Sequence, residues 1–506
     1  MIYPKMTAEQ AAAMIENGQT VSVSGFTAAG SPRVVTAALA VKAEAEHAAG
    51  RPFKINLFTG ALTNECVDEA LAKAHAIDKR MPFQGSPAMR AGINAREINY
   101  FDMHLSVVGQ YLRYGFLGKI DYCIIEALDI NDEGEIVLSG GIGCIETYAQ
   151  MADKIIIELN SAYDARIKGL HDIYIPATPP HRREIPIYEP QDRVGSPVLK
   201  VDPRKVVAVV DCNYRYGVKP FNPVDETTAR IGKNVANFLI GELKAGRIPA
   251  EFLPLQSGVG NVSNAILHEL QQATEIPPFK LYTEVLQDQA IDLIDMGRCT
   301  FASTGALALS DAVYDKVMDN IEFYKKHIVL RPFEISNHPE VVRRLGIISI
   351  NTALEVDLFG NVNSSHVLGT KMMNGVGGAA DFARNAYISI FICPSVAKGG
   401  NISAIVPYVS HVDSSEHSVM CIITDQGVAD LRGLSPVQRA EVIIEHCAHP
   451  SYRPLLREYL KLTDGISGHT PLSLHHAFSF HEEFMRSGDM HNVKFEVPNN
   501  ENSVQS

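Results

Sequence analysis

Short apolar runs of strand length recur along this chain, and segments compatible with helices separate them. This alternation predicts an open, mostly parallel sheet with helices on both faces, and therefore an α/β fold. In the first half the runs cover residues 20–26, 55–58, 122–125, 154–159 and 206–210, and in the second half they cover residues 279–285, 299–303, 327–330, 346–350, 387–393, 402–409 and 420–424.

A polar stretch between residues 211 and 224 interrupts the alternation. It holds Tyr214, Tyr216, Pro220 and Pro223, and a long helix is predicted directly after it, over residues 226–244. Because 506 residues exceed what one ordinary hydrophobic core holds, we expect two large domains. The predicted organisation is two tandem open-sheet α/β domains, residues 1–220 and residues 221–506.

The charge of the chain limits its partners. A net charge of −13 and an isoelectric point near 5.8 argue against nucleic acid, because neutralising phosphates needs a basic face.

The N-terminal segment carries Lys5, Glu9 and Glu16 where a signal peptide needs an unbroken apolar stretch, and no other run approaches about 18 apolar residues. We expect a cytoplasmic protein without membrane contact.

Cysteine and histidine usage gives no sign of a metal site or a thiol nucleophile. The eight cysteines form no C-x-x-C pair, which predicts reduced core thiols. Histidine-rich groups at residues 411–417, 446–449 and 475–476 match no standard zinc spacing. The chain also lacks a G-x-S-x-G elbow and a local cysteine signature. We predict no metal site and no serine or cysteine nucleophile.

One carboxylate, Glu284, lies in the middle of the run Lys-Leu-Tyr-Thr-Glu-Val-Leu-Gln-Asp at residues 280–288. Alternate residues of a strand share a face, and neither face of this run suits water. A strand apolar on both sides belongs inside a parallel sheet, where an ionised glutamate is costly unless it is paired or used. The alternatives are a structural acid saturated by a helix N-terminus or an arginine, and a functional carboxylate.

Glu355 and Asp357 also alternate with apolar residues, just before the turn sequence Phe359-Gly360-Asn361. This pattern predicts a hairpin strand with one face in water. We therefore expect both acids to be ordinary surface residues, in contrast to Glu284.

Two glycine-bearing loops are candidates to surround Glu284. Residues 256–264 lead into an apolar helical run, so their amides predict either an anion site or a tight turn with Asn261 as the N-cap. Residues 373–382 hold three glycines in four positions, which indicates that something contacts the main chain. Their G-x-G-x-x-A spacing lacks the preceding strand and the following acid of a dinucleotide fold, so we predict amide donors and no NAD site.

Six segments, taken together in this order, resemble motifs of the acetyl-CoA hydrolase/transferase family, the class I CoA-transferases. They are residues 256–261, 282–288, 331–337, 361–364, 372–382 and 429–436. The resemblance spans nearly the whole chain and is greatest to succinyl-CoA:CoA transferases and propionyl-CoA:succinate CoA-transferases. It implies two α/β domains with the active site between them, and a homodimer.

The resemblance also implies a mechanism. In this family a glutamate attacks the acyl-CoA thioester, a role that carries over to Glu284. An ionised carboxylate needs no separate base, and its acyl anhydride is activated enough for CoA to return and form a glutamyl-CoA thioester. Two main-chain N–H groups, here matching Val259 and Gly378, stabilise each oxyanion. Coenzyme A is thus a substrate, and no permanently bound cofactor is implied.

The family's substrate contacts also map onto this chain, with a substrate-side amide matching Asn337. The positions that match CoA contacts are Gln256, Ser257, Gly258, Val259, Gly260, Asn374, Gly378 and Lys398. The chain departs from the family pattern at Asp425, where Glu is common, and at Ala379-Ala380, where Ser-Gly is usual. We expect Asp425 to reshape the pocket near the acceptor acid and the two alanines to stiffen the loop.

The expected reaction is transfer of CoA between succinyl-CoA or a short acyl-CoA, such as acetyl-CoA or propionyl-CoA, and a short carboxylate, such as acetate, propionate or succinate. One alternative is an acyl-CoA hydrolase with the same glutamate, because a wet pocket lets water intercept the intermediates. The other is a non-catalytic CoA-binding protein in which Glu284 is a structural acid.

Overall fold

The computed structural model describes residues 3–62, 65–218, 224–258, 260–465 and 467–495. The domain boundary predicted at residue 220 and the candidate oxyanion residue Val259 both lie outside these ranges. In the described part of the chain, no helix is both long and apolar enough to cross a membrane.

The first half contains an open sheet, of which nine strands are described. The strands are parallel except where Glu135–Leu138 pairs with Ile120–Ile130 and with Leu199–Lys200. From one edge the order is Asn99–Tyr100, Ile77–Met81, Ile55–Phe58, Thr20–Val23, Ile120–Ile130, Glu135–Leu138 and Leu199–Lys200. Two further strands lie off this path: Ala152–Asn160 pairs with Ile120–Ile130, and Val206–Cys212 pairs with Ala152–Asn160.

The second half contains a second open sheet, with eight described strands. All neighbours are parallel except the last pair, which is antiparallel. The order is Ile328–Leu330, Cys299–Thr304, Phe279–Tyr282, Leu255–Ser257, Ile348–Thr352, Ile388–Ile392, Cys421–Thr424 and Gly427–Asp430. The predicted α/β class is confirmed.

Helices connect and cover the sheets. In the first half they are Ala8–Ala13, Val34–Ala48, Ala70–Lys73, Pro87–Asn94, Leu105–Arg113 and Ile145–Met151. In the second half they are Glu226–Lys244, Asn261–Gln272, Asp288–Asp295, Asp311–Asp319, Ile321–Tyr324, Phe333–Ser336, Pro339–Leu345, Ala379–Asn385, Pro436–His446, Arg453–Lys461 and Ser479–Ser487. The helix predicted over residues 226–244 forms as Glu226–Lys244, and Asp225 caps it by accepting from the Thr228 N–H.

Short strands lie outside the two main sheets. The predicted strand over residues 402–409 is instead two pieces, Ile402–Ser403 and Ile405–Val406. A two-residue strand does precede the second glycine loop, contrary to the prediction, but it pairs antiparallel in a small hairpin and not in a parallel sheet. The small pairings are Val285–Leu286 with Ala306–Leu307, Glu355–Asp357 with Val362–Asn363 and Ile405–Val406, His366–Val367 with Lys371–Met372, and Val396–Ala397 with Ile402–Ser403.

The prediction that Glu355 and Asp357 are surface residues is wrong. Asp357 is fully buried and Glu355 is 9% exposed. The Glu355 carboxylate accepts from Asn363 and Ser410 and contacts the His481 ring, while Asp357 accepts from the backbone N–H groups of Phe359 and Asn361. Both acids are therefore covered by hydrogen-bond partners, which are local for Asp357 and include residues distant in the chain for Glu355.

One hydrophobic core joins the two halves. A single cluster of buried side chains includes Phe26 and Ile125 from the first half and Leu286 and Leu330 from the second. Residues 305–307 add backbone hydrogen bonds across the same boundary, because Leu307 N–H donates to Gly140 O at 2.7 Å and Ile142 N–H donates to Gly305 O at 3.1 Å. The carboxyl end of the second sheet thus packs against the first half.

Candidate active site

Glu284 lies just beyond the carboxyl end of a central strand. The predicted continuous strand over residues 279–285 is wrong in one respect, because Phe279–Tyr282 ends two residues before Glu284. The Glu284 carbonyl accepts from Gly305 N at 2.9 Å, Ala306 N at 3.1 Å and Thr304 Oγ1 at 3.0 Å. Three donors therefore fix the main chain, while the side chain is half-buried at the sheet edge where α/β folds bind ligands.

Asn337 holds the carboxyl group itself. Its Nδ2 donates to Glu284 Oε1 at 2.6 Å, and the Ser336 hydroxyl donates to Asn337 Oδ1 at 2.7 Å. Asn337 is fully buried and follows the short helix Phe333–Ser336. The second hydrogen bond orients the amide so that its NH₂ group is presented to Glu284.

Gly378 closes the other side of Glu284. A Cβ atom placed on Gly378 would overlap Glu284 Oε1 and Asn337 Nδ2, so only glycine fits here. Its φ of −97° is open to any residue, so the constraint comes from contact and not from the backbone. Two residues predicted from the sequence, Asn337 and Gly378, thus meet Glu284 directly.

The second glycine loop is anchored on the first half of the chain. Asn374 O accepts from Tyr100 Oη at 2.6 Å, and Val376 N–H donates to Asp102 Oδ2 at 2.7 Å. The Asn374 side chain accepts from its neighbour, the Gly375 N–H, at 2.8 Å. The loop that carries Gly378 is therefore positioned by residues of the first sheet's edge.

Burial dominates the electrostatics of Glu284. Desolvation raises its pKa to about 7, and the nearby Asp381 carboxyl adds to the rise, whereas the Asn337 hydrogen bond opposes it. Asp381 is buried and accepts from Ser106 N at 3.0 Å and Ser106 Oγ at 2.6 Å. A buried carboxyl with a pKa near neutrality is a candidate reactive group.

The first glycine loop lies on the neighbouring strand. Thr283 Oγ1 donates to Ser257 O at 2.9 Å, which ties this loop to the residue before Glu284. Gly258 N–H donates to Ile350 O, and Gln256 Nε2 donates to Asn351 Oδ1. Within the described residues, Gln256 Oε1 and Ser257 Oγ are buried without a hydrogen-bond partner, so they are available to a ligand.

The helix after this loop begins one residue earlier than an N-cap at Asn261 would place it. Gly260 occupies the N-cap position, and Asn261 is the first helical residue, so the prediction that Asn261 caps the helix is wrong. The φ of Gly260 is 120°, a conformation that favours glycine over asparagine.

Lys398 and Asp425 do not join the Glu284 cluster in the described contacts. Lys398 is exposed in a turn, Lys398–Gly400, with a φ of 52°. Asp425 accepts from Ser395 N at 2.6 Å and from Gln426 Nε2 at 2.6 Å. The roles assigned to Lys398 and Asp425 by resemblance stay predictions.

Three residues that act on Glu284 were not predicted from the sequence. The Gly305 and Ala306 amides bind the Glu284 carbonyl, and the nearby Asp381 carboxyl raises the Glu284 pKa. Asp381 lies three residues after Gly378, so its position in the glycine-loop motif was the available signal. Nothing in the local sequence distinguishes Gly305 from an ordinary turn glycine.

Three side chains with possible metal-ligand atoms lie together in a group that was not predicted from the sequence. Ligand atoms of His366, His411 and Asp413 lie within 4.8 Å of one another. Asp413 already accepts from the Ser365 hydroxyl and from the Ser364 N–H. Hydrogen bonds within the chain are therefore enough to explain the burial and orientation of the Asp413 carboxylate.

Comparison with known proteins places the chain among relatives of similar length. It is 46% identical to the propanoyl-CoA:succinate CoA transferase of Escherichia coli (strain K12), over 96% of this chain and 99% of the relative. It is 46% identical to the succinyl-CoA:acetate CoA-transferase of Clostridium kluyveri, over 96% of this chain and 90% of the relative. It is 41% identical to an acetyl-CoA hydrolase of Schizosaccharomyces pombe, over 94% of each.

Solved structures support the same fold. RipA from Yersinia pestis matches with a TM-score of 0.70 at 23% identity, over 90% of this chain and 97% of RipA.

The family models for the acetyl-CoA hydrolase/transferase N-terminal and C-terminal domains match residues 2–211 and residues 313–460. The chain therefore belongs to the acetyl-CoA hydrolase/transferase family.

Proposed function

We propose that this protein is a CoA-transferase that moves CoA between succinyl-CoA or a short acyl-CoA and a short carboxylate, with Glu284 as the nucleophile. The observation that carries the proposal is the half-buried Glu284 carboxyl, whose Oε1 accepts from Asn337 and which lies against Gly378. Relatives named as CoA-transferases at 46% identity supply the substrate class.

The reaction begins with attack on the acyl-CoA thioester. Because Oε1 is held by Asn337, we assign the attack to Glu284 Oε2. The C–S bond breaks, CoA leaves as a thiolate and an acyl-glutamyl anhydride forms. The thiolate then attacks the glutamyl carbonyl, which releases the first carboxylate and leaves a glutamyl-CoA thioester.

The second acid reverses these steps. Its carboxylate attacks the glutamyl thioester and expels the CoA thiolate, which then attacks the acyl carbonyl of the new anhydride. The products are the new acyl-CoA and a regenerated Glu284 carboxylate, with no net change in protons. We assign stabilisation of each oxyanion to the N–H groups of Gly378 and Val259, where loss of one donor typically costs about 10²–10³ in rate.

The other residue roles in this proposal rest on the resemblance to the family. CoA contacts are assigned to Gln256, Ser257, Gly258, Gly260 and Asn374, in addition to the oxyanion residues. Lys398 supplies positive charge to CoA on an otherwise acidic protein. The protein acts in the cytoplasm as a homodimer of two-domain subunits. Light scattering on the purified protein tests the dimer.

Covalent trapping tests the proposal. The protein is incubated with acetyl-CoA or succinyl-CoA, treated with borohydride and digested, because reduction of a glutamyl thioester changes the mass of the peptide that contains Glu284. We expect this change in the wild type and not in Glu284→Ala, which should lose transfer while it still binds CoA. Glu322→Ala, at a side chain that is 78% exposed, is the control and should retain both.

Two results would contradict the proposal. Near-normal turnover by Glu284→Ala would show that Glu284 is not the nucleophile. Absence of both turnover and a mass change in the wild type favours a non-catalytic CoA-binding protein instead.

A hydrolase is the second candidate, because the Schizosaccharomyces pombe relative is named an acetyl-CoA hydrolase. The same glutamate serves both reactions, and access of water to the intermediates decides between them. Loss of acetyl-CoA is measured with and without succinate. A transferase requires the acceptor acid, whereas rapid loss without succinate establishes hydrolysis.

A further inference from the structure

One helix of the first half contacts two segments of the second half, those that carry the residues in contact with the Glu284 carboxyl, Asn337 and Gly378. This bridging helix, Leu105–Arg113, has nine residues, and Ser106 and Arg113 near its ends are about 10 Å apart along its axis. Each of these two residues makes a charge-assisted contact with a carboxylate across the boundary between the halves.

At its start, the bridging helix holds the segment that carries Gly378. Both the N–H and the hydroxyl of Ser106 donate to the Asp381 carboxylate, at 3.0 and 2.6 Å. Both residues are buried, with Ser106 at 0% and Asp381 at 5% exposure. Asp381 is in the first turn of Ala379–Asn385, the helix that begins directly after Gly378. Ser106 is therefore bonded to the helical turn that directly follows Gly378.

At its end, the bridging helix holds the segment that carries Asn337. Arg113 Nη1 and Nη2 donate to the two carboxylate oxygens of Glu334, at 2.9 and 2.6 Å. This pair is also buried, and its bidentate geometry fixes orientation as well as distance. Glu334 is in Phe333–Ser336, the short helix that ends immediately before Asn337.

The helix surface between these contacts also lies close to Glu334. A Cβ atom on Gly109 would overlap Glu334 Oε2, so the helix backbone approaches this carboxylate as closely as glycine allows. Gly378, Asn337 and Glu284 are packed with equally little spare room. A small displacement of either segment therefore changes the orientation of the Glu284 carboxyl.

We propose that Ser106 and Arg113 are positioning residues that hold Gly378 and Asn337 against the two sides of the Glu284 carboxyl. The proposal rests on the function of Glu284 proposed above. Neither residue touches the reacting atoms. Their effect is on the rate of the covalent steps, because a misplacement of about 1 Å can lower such a rate by roughly 10².

Ser106→Ala and Arg113→Lys test this role with small changes. Ser106→Ala keeps the N–H bond to Asp381, and Arg113→Lys keeps the positive charge beside Glu334 while losing the bidentate geometry. We expect each variant to lower kcat by roughly 10-fold, with the KM for acyl-CoA within about twofold of the wild type. Borohydride trapping should show slower formation of the glutamyl thioester.

Ser403→Ala is the matched control. Ser403 is 1% exposed and its hydroxyl donates to Ile405 O at 2.6 Å, so the variant also loses a buried hydroxyl hydrogen bond. We expect its kcat to be unchanged, which separates positioning from general loss of packing. Thermal unfolding is measured for every variant.

The outcomes distinguish this inference from the proposed function. If the wild type shows neither transfer nor a trapped thioester, the proposed function fails. If the wild type is active and both variants keep its kcat, or lose activity through KM alone, the positioning role is overturned. Should either variant fail to fold, Gly109→Ala replaces it, because the added methyl group meets Glu334, Arg113 and Thr147 and is expected to lower kcat by displacing Glu334. An unchanged kcat in Gly109→Ala also overturns the inference.

Discussion

At the scale of single residues, the chemistry depends on a carboxyl group that is partly withdrawn from water. Burial and the neighbouring Asp381 raise the pKa of Glu284, while the hydrogen bond from Asn337 favours the ionised form and limits the rise. A pKa of about 7 leaves a substantial fraction ionised at neutral pH, and the carboxylate is then poorly solvated. Such a group is a better nucleophile than an exposed glutamate.

The pH dependence of turnover follows from this pKa. Below about 7 the Glu284 carboxyl is protonated and cannot attack, so kcat/KM for acyl-CoA should rise with pH through that value and then level off. In Asn337→Ala the bond that favours the carboxylate is lost, and the rising limb should move to higher pH. Initial rates measured at constant ionic strength check both, and a flat profile from about pH 5 to 9 would contradict the assignment.

At the scale of elements, the active site lies where strands end and loops begin. Phe279–Tyr282 delivers Glu284 to the carboxyl edge of the second sheet, and the Gly305 and Ala306 amides hold its carbonyl. The loop before Ala379–Asn385 then places Gly378 in contact with the carboxyl. Regular elements set the approximate position, and the loops set the contacts.

Gly378→Ala tests the close approach of this loop. The added methyl group overlaps Glu284 and Asn337, so we expect kcat to fall by at least about 10² and stability to fall by about 1–3 kcal/mol. Gly241→Ala is the control, because Gly241 lies inside Glu226–Lys244 with open space around it and a helix favours alanine by about 1 kcal/mol. The control should keep full activity, and equal activity in both variants would exclude the contact.

At the scale of the whole molecule, buried polar contacts join the two halves beside their shared hydrophobic core. Arg331 Nη1 donates to Asp172, and Arg331 Nε donates to Ser303 Oγ at 2.9 Å. Asp172 also accepts from the Val194 and Gly195 N–H groups. Both members of the ion pair are almost fully buried, so water cannot solvate either charge if its partner is removed.

Removal of one partner should therefore be costly. We expect Arg331→Met to lower the free energy of unfolding by about 3–5 kcal/mol, because it leaves the Asp172 carboxylate buried without its cation. Urea unfolding followed by circular dichroism measures the change. Arg204→Met is the control, since the Arg204 side chain is 90% exposed, and its unfolding midpoint should equal that of the wild type. An equal effect of the two substitutions would refute the prediction.

Much of the architecture could be predicted because it depends on local patterns. Apolar runs that alternate with helical segments predicted the α/β sheets, and the residues after Asp225 predicted the helix Glu226–Lys244. The candidate site was predicted in part. Glu284 was distinctive as a lone acid in an apolar run, and the motif resemblance indicated Asn337 and Gly378, both of which contact it.

The remaining contacts were inaccessible to local reasoning. Alternation around Glu355 and Asp357 predicts a wet face, yet His481, 126 positions away, contacts the Glu355 carboxylate. Ser106 and Asp381, which meet beside the active site, are 275 positions apart. Asp381 lies at the end of the second glycine loop, but nothing near either residue in the sequence indicates that the two residues meet.

By itself, the sequence determined most of the segments that form strands and helices, the extent of the helix Glu226–Lys244, and which acid is out of place in an apolar run. These properties depend on residues within a few positions of one another. Only the tertiary structure decided which carboxylates are buried and which groups hold Glu284. Burial and pairing depend on what the folded chain brings together across distances of tens to hundreds of residues, and no local pattern encodes those distances.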